Sequence, residues 1–403
     1  MIRFQAPRLA TWKPSVMPFT LTKQTDIRNA WFIWLGFAIG VILFAWMEGF
    51  SHTVTGAYRF GADNWLAGKP LYRIDDYLSF LYPPTSAMIF APYSMLPHEL
   101  GEILWRVTCM GVLALGVRSA SAAATRACGV EFFPLVTLLT LAALLPAARN
   151  GQATLLIAGM MLGAIGAATA RRWWVVGFLL ALATVIKPLA IVLMLLLGVL
   201  RPRVIVPAIV FMVLLLALPA LHDGFQKAGS DLVDWVAKMR TASAPGAEFR
   251  VSDLFGGLVA FGIDVPTGIA YLVRALAAVA TLVLCAISFA RFGHVRGVLL
   301  AGAFGFTYFL LFNPRTENNG YGALAPAEAI LASWLLLFQG RMILGVVVAS
   351  LPFIALSGYE IGKFITPGRE TWMAPLSAVV FLIVLCLLLF EVGSKPSGRP
   401  IRA

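Results

Sequence analysis

The stretch Asn313-Pro-Arg-Thr-Glu-Asn-Asn-Gly-Tyr321 carries more chemistry than a turn needs. Pro314 and Gly320 suffice to reverse a chain. Arg315 adds a planar fork that suits a phosphate, Glu317 adds a carboxylate, and Asn318 and Asn319 add amides that suit sugar hydroxyls. Two further breaks stand out. Arg149-Asn-Gly-Gln152 separates one pair of apolar runs, and Ile186-Lys187-Pro188 separates another. A cation at membrane depth costs roughly 2.5–3.5 kcal/mol on insertion scales, so it faces a cavity or snorkels to the interface. Snorkelling accounts for Arg149. Lys187 lies between short segments beside a proline, a broken hairpin that is tolerated only where protein or water lines it. These groups predict a shared outward-facing cavity lined by the loop after the first apolar run, Lys187 and residues 313–319.

That first loop has its own pattern. Tyr58, Ala62, Trp65 and Leu66 recur at helical offsets and Gly68 closes the run, predicting a short amphipathic helix along the membrane surface. Arg59 and Asp63 share its polar edge four residues apart, either as a plain surface ion pair or as groups facing a polar headgroup. Glu48 stands at the outer end of the preceding apolar run. His52 follows it by four residues and couples to it if the helix continues.

Composition says which elements hold these groups. The 403 residues are 60% hydrophobic and 12% charged, against about 25% charged in soluble domains. Apolar stretches near 20 residues, each able to span a core of about 30 Å, recur from end to end. The chain therefore reads as an all-α polytopic membrane protein with about twelve spans, near residues 30–48, 99–118, 131–148, 152–170, 173–186, 188–200, 204–221, 267–291, 297–313, 322–338, 342–357 and 373–391. Residues 80–96 are apolar but interrupted by Pro83, Pro84 and Pro92, which predicts a short span or a re-entrant segment. Residues 1–28 form a basic leader, 29–392 a single membrane domain and 393–403 a tail. The first run, from Trp31 to Met47, lacks a small-residue cleavage pattern after it and reads as an uncleaved anchor.

The net charge of +12 is a topology signal. Lys and Arg of short loops stay cytoplasmic, and the leader's Arg3, Arg8, Lys13, Lys23 and Arg28 oppose Asp26 alone. Arg118, Arg126, Arg171, Arg172, Arg201, Arg203, Arg291, Arg296, Arg341, Lys395, Arg399 and Arg402 then fall on the same side. Both termini are expected in the cytoplasm, the body in the inner (plasma) membrane, and the loops near 49–98, 222–266, 313–321 and 357–372 outside. Most of the acids lie in those outer loops. No nucleic-acid partner is implied. Cys109, Cys128, Cys285 and Cys386 lack metal-ligand spacing, so no metal and no cofactor are expected.

With these residues in view, the sequence resembles glycosyltransferase family 87, a branch of the C-type (GT-C) membrane transferases that use polyprenol-phosphate sugars. The match rests on Tyr58-x-x-x-Ala62-x-x-x-Leu66-x-Gly68-x-Pro70-Leu71-Tyr72, Leu81-Tyr82-Pro83-Pro84, Leu96-Pro97, Gly151-Gln152, the run from Gly177 to Lys187-Pro188, and Asn313-Pro314-Arg315. The resemblance implies a GT-C bundle, a polyprenyl-phosphate-linked donor and transfer at the periplasmic face to a glycan or glycolipid acceptor. Arg59, Lys69, Tyr72, Tyr82, Arg149, Gln152, Lys187, Arg315, Glu317 and Asn318 are the expected donor-binding residues. There is one departure. Relatives commonly place an aspartate a few residues ahead of the tyrosine, and here that place holds Thr53 to Thr55. Glu48 with His52 are ranked first as the base, then Asp63, with Glu317 able to approach from the late loop. A transporter or flippase of a lipid-linked or polar solute is the alternative. Its marks would be inverted repeats and paired charges near the midplane, and neither is evident.

Overall fold

The computed structural model describes residues 23–73, 76, 79–242, 252–367 and 371–391. The basic leader up to residue 22, Asp75, Glu370 and the tail from residue 392 lie outside the described residues. Every regular element described is helical. In chain order these are α1 (Lys23–Met47), α2 (Thr55–Leu66), α3 (Pro84–Ser94), α4 (His98–Cys128), α5 (Phe133–Arg149), α6 (Ala153–Thr169), α7 (Trp173–Ile186), α8 (Ile191–Leu200), α9 (Ile205–Ala217), α10 (Ala220–Ala242), α11 (Leu254–Val259), α12 (Thr267–Phe312), α13 (Ala325–Ser333), α14 (Met342–Ile365) and α15 (Met373–Phe390).

Local sequence explains the boundaries. The expected span at 99–118 continues as helix to Cys128 because the alanines of 120–127 are strong helix formers, and it stops at left-handed Gly129 (φ 78°). The segment at 80–96 yields only the 11 residues of α3, about 16 Å of rise, too short to cross a core of about 30 Å. Hydrogen bonds from Thr85 Oγ1 to Leu215 O (3.0 Å) and from Ser86 Oγ to Val185 O (2.9 Å) hold it across the ends of α9 and α7. The expected spans at 267–291 and 297–313 are the two arms of α12. Gly293 takes φ 73° and ψ −169°, outside the helical region. The Tyr308 hydroxyl donates to Arg274 O at 3.2 Å across 34 residues, so the arms run antiparallel.

Among the described residues five helices qualify by length and composition to cross a membrane: Thr25–Met47, His98–Cys128, Thr267–Phe312, Asn318–Phe338 and Met373–Phe390. Shorter apolar helices of 10–17 residues include Phe133–Arg149, Ala153–Thr169 and Trp173–Ile186. Large apolar side chains such as Phe32, Leu35, Val213, Leu276 and Leu387 stand exposed on the flanks of the bundle, as a lipid-facing belt requires. At the centre α4 packs against α6 through small residues. A Cβ on Gly116 would fall 2.1 Å from Gly159 O, so the glycine pair sets how closely the two backbones approach. This contact fixes the position of both α4 and the start of α6, where the polar groups gather.

Candidate active site

The turn between α5 and α6 is the hub. Gly151 takes φ +66°, and a Cβ there would lie 2.9 Å from the Thr55 methyl. Only glycine combines that conformation with that clearance. The first loop is fastened over the turn by Val54 N–H to Asn150 O (3.0 Å), and α4 by the Trp105 indole N–H to Gly151 O (2.7 Å). Three consecutive residues at the start of α6 then each reach a different element. Gln152 Nε2 donates to Glu317 Oε2 in the late loop (2.6 Å), Ala153 N–H donates to the Tyr58 hydroxyl on α2 (3.2 Å), and Thr154 Oγ1 accepts from Lys187 Nζ (3.1 Å).

Lys187 owes its place to the proline after it. Pro188 disfavours the helical conformation at the residue before, and Lys187 is extended at φ −150° and ψ 123°. Its side chain is half-buried, with Nζ 5.9 Å from the centre of the Tyr82 ring. Tyr82 OH meets Tyr58 OH at 3.5 Å, and Tyr72 OH donates to Tyr82 O at 2.8 Å. Burial pushes the Tyr58 hydroxyl well above its ordinary range, and burial does the same to Tyr72. Both stay neutral and can serve as hydrogen-bonding groups but not as bases.

The remaining cations are placed differently. Arg149 does not simply snorkel: it makes a two-pronged ion pair with Glu48 (2.6 and 2.7 Å) across 101 residues of chain. Arg59 ignores Asp63 and donates instead to Ser94 O at the end of α3 (2.7 Å), leaving Asp63 exposed. An orphan helix-terminal carbonyl outbids a carboxylate in open solvent. The helix of α1 stops at Met47 and the chain turns through left-handed Gly49 and Phe50, so His52 is not one turn above Glu48 and stands exposed. Lys69 is exposed, and its backbone N–H donates to Asn64 O. Arg315 is half-exposed, and its backbone N–H donates to Asn313 Oδ1 (3.4 Å). Asn318 is half-buried at the start of the 3-10 turn Asn318–Ala323. The structure thus brings Tyr82, Gln152, Lys187 and Glu317 together, seats Tyr72 behind Tyr82, and sets Arg59 apart.

Sequence reasoning missed Glu102 and Arg106 of α4. They form an ion pair with side chains 2% and 0% exposed. The hydroxyls of Thr53 and Thr55 both donate to the Glu102 carboxylate, and Arg106 Nη2 donates to Arg149 O (2.6 Å). A carboxylate therefore does approach the place where the resemblance led us to expect an aspartate, but it comes from α4 and is fully paired. The signal was two opposite charges four residues apart inside an expected span. Glu317 differs from it and from Glu48. It is half-exposed, accepts from one amide, and has no cation within ion-pair distance among the described residues. Lys187 likewise meets no carboxylate at that distance among them.

The model of glycosyltransferase family 87 matches residues 80–314, which takes in α3 to α12 and the start of the late loop. The chain belongs to glycosyltransferase family 87. A curated relative, the polyprenol-phosphate-mannose-dependent alpha-(1-2)-phosphatidylinositol pentamannoside mannosyltransferase of Mycobacterium tuberculosis (strain CDC 1551 / Oshkosh), is 30% identical over 114 residues. That alignment takes in 27% of this chain and 26% of the relative, so the chain spans about a quarter of the length of the curated relative it matches. Among solved structures, ArnT from Cupriavidus metallidurans bound to undecaprenyl phosphate aligns over 89% of this chain and 77% of its own, at 18% identity and a TM-score of 0.39. Membership of family 87 accords with the membrane body and the motif residues read from the sequence.

Proposed function

We propose that this family 87 protein is a membrane glycosyltransferase of GT-C type that moves a sugar from a polyprenyl-phosphate donor to a hydroxyl of a glycan or glycolipid acceptor. The observation that carries this is the cluster at the start of α6, where a cation, Lys187, and a carboxylate, Glu317, each without an ion-pair partner among the described residues, are held by Thr154 and Gln152, two residues apart. In the reaction the acceptor oxygen bonds to the anomeric carbon, the bond from that carbon to the phosphate oxygen breaks, and polyprenyl phosphate leaves. Lys187 balances the charge growing on the leaving phosphate, with Tyr82 packed against its ammonium. Glu317 takes the proton that the acceptor hydroxyl loses, and Gln152 aims its carboxylate. Arg149 and Arg106, already neutralised by Glu48 and Glu102, hold the frame.

The arginine distribution supports the site facing the periplasm, about twelve crossings and both termini in the cytoplasm of a cell whose inner membrane holds the body. The deciding experiment incubates purified protein with a panel of polyprenyl-phosphate sugars and follows release of polyprenyl phosphate. Release that depends on acceptor and disappears in Lys187→Met supports the reading, and no release with any donor sinks it. The facing is tested separately, by labelling Glu317→Cys in intact cells. Protection there, with labelling only after lysis, reverses the orientation.

A further inference from the structure

At the end of the bundle away from Lys187 lies a cavity of about 320 Å³ among α4, α6, α12, α13 and α15, within the roughly 300–1,000 Å³ range of ligand pockets. Cys128 lines it. On the same helix Glu102 belongs to the opposite end, 26 residues and so about 39 Å away along the axis. The walls are apolar and buried, Ile165, Phe306 and Leu385 among them. The charged lining groups, Arg296, Arg341 and Glu391, stand at exposed or half-exposed positions, so charge is gathered at the mouth. Arg341 Nη1 is taken up by Glu391 Oε2 at 2.6 Å. Arg296 has no acceptor within hydrogen-bond reach among the described residues.

An apolar slot with an unneutralised guanidinium at its mouth, in a helical bundle with lipid-facing flanks, is complementary to an aliphatic chain joined to a phosphate. The chain's own final segment is the wrong occupant, because Lys395, Arg399 and Arg402 would bring positive charge to a mouth that already holds two arginines against one glutamate. We propose that this cavity binds an anionic glycerophospholipid, with one acyl chain between α6 and α12 and the phosphate against Arg296. The site is separate from the transfer cluster and does not depend on the reaction proposed for it. It ties the arrangement of α12 and α15 to the anionic lipid content of the leaflet at that end.

The test titrates the purified full chain with phosphatidylglycerol, phosphatidylcholine of identical acyl chains and undecaprenyl phosphate, counting retained lipids by native mass spectrometry. Phosphatidylglycerol, with a net negative headgroup, is expected to be held about fivefold more tightly than phosphatidylcholine, whose choline ammonium cancels its phosphate and repels Arg296, the worth of roughly one arginine near anionic lipid. Arg296→Gln should abolish that preference, Arg296→Lys should keep it, and Ala303→Phe, which fills the cavity behind the mouth, should lower phosphatidylglycerol retention. Equal retention of the two phospholipids, or a preference that survives Arg296→Gln, overturns the proposal. Arg296-dependent retention of undecaprenyl phosphate without phosphatidylglycerol overturns it too, by giving the cavity to a polyprenyl lipid.

Discussion

The two ends of the bundle bury their charged side chains to different depths: Arg106 and Glu102 at one end are 0% and 2% exposed, Arg341 and Glu391 at the other 38% and 43%. At the end built around Gly151, side chains hold other side chains, Glu48 with Arg149, Gln152 with Glu317 and Lys187 with Thr154 across 33 to 165 residues of sequence, and Glu102 with Arg106 one helical turn apart. At the other end Arg118 pairs with Glu131 and Arg341 with Glu391, and further basic groups reach backbone carbonyls. Arg201 donates to Leu200 O (2.6 Å), Arg291 to Leu389 O (2.5 Å), and His294 Nε2 lies 2.9 Å from Ala168 O. Cations on terminal carbonyls are helix caps, satisfying orphan acceptors where helices stop. They need no particular partner sequence, so arginines there can serve topology and capping together. Carboxylate pairs that fix side-chain directions suit a place where atoms must be aimed. The contrast in burial between the pair of Glu102 with Arg106 and the pair of Arg341 with Glu391 sets how much each contributes to the framework.

The largest effect expected from this contrast is on turnover. Glu317→Gln should lower the transfer rate by about 10²–10⁴-fold, the usual worth of a positioned general base, and Lys187→Met by about 10²–10³-fold. Both should leave thermal unfolding near wild type, because neither group is in an ion pair. Release of polyprenyl phosphate under saturating donor and acceptor measures it, and wild-type turnover in both variants would erase the distinction between the ends. Next comes stability. Glu102→Gln leaves the buried Arg106 guanidinium uncompensated and should cost about 3–5 kcal/mol, while replacing both residues by apolar ones of similar volume should recover most of it. Unfolding midpoints in detergent read this out, and a single variant as stable as wild type would show that the pair does not fasten the loop. The smallest effect belongs to the far end. Arg341→Ala breaks an exposed pair with Glu391 and should change stability by no more than about 1 kcal/mol. A loss comparable to that of Glu102→Gln would mean that the two ends are not built differently after all.

Much of the helical body was legible because apolar runs near 20 residues announce themselves, and Gly68, Gly129 and Pro188 mark their stops by local chemistry. Residues that sit at breaks were legible for the same reason: Gln152, Lys187 and Glu317 each interrupt apolar sequence, and the fold brings all three together. Partners were not legible. Gln152 and Glu317 are 165 residues apart and Glu48 and Arg149 101 apart, so nothing local tells which cation will be neutralised and which left free. Arg59 shows the converse. Its spacing to Asp63 is a sound local rule, and a carbonyl 35 residues away overrides it.

The reversal at Gly293 carries a consequence for how the chain counts its crossings. Because the arms of α12 lie antiparallel, with Tyr308 against Arg274, residues 267–312 leave and return to the same end of the bundle. They act as an even unit. Losing or gaining the whole unit leaves every later helix pointing as before, so α13 to α15 keep their sense. Losing one arm would invert all of them, carry Glu317 to the opposite end of the bundle and separate it from Gln152. A single glycine thus guards the parity of the chain, and with it the meeting of two loops that are 165 residues apart.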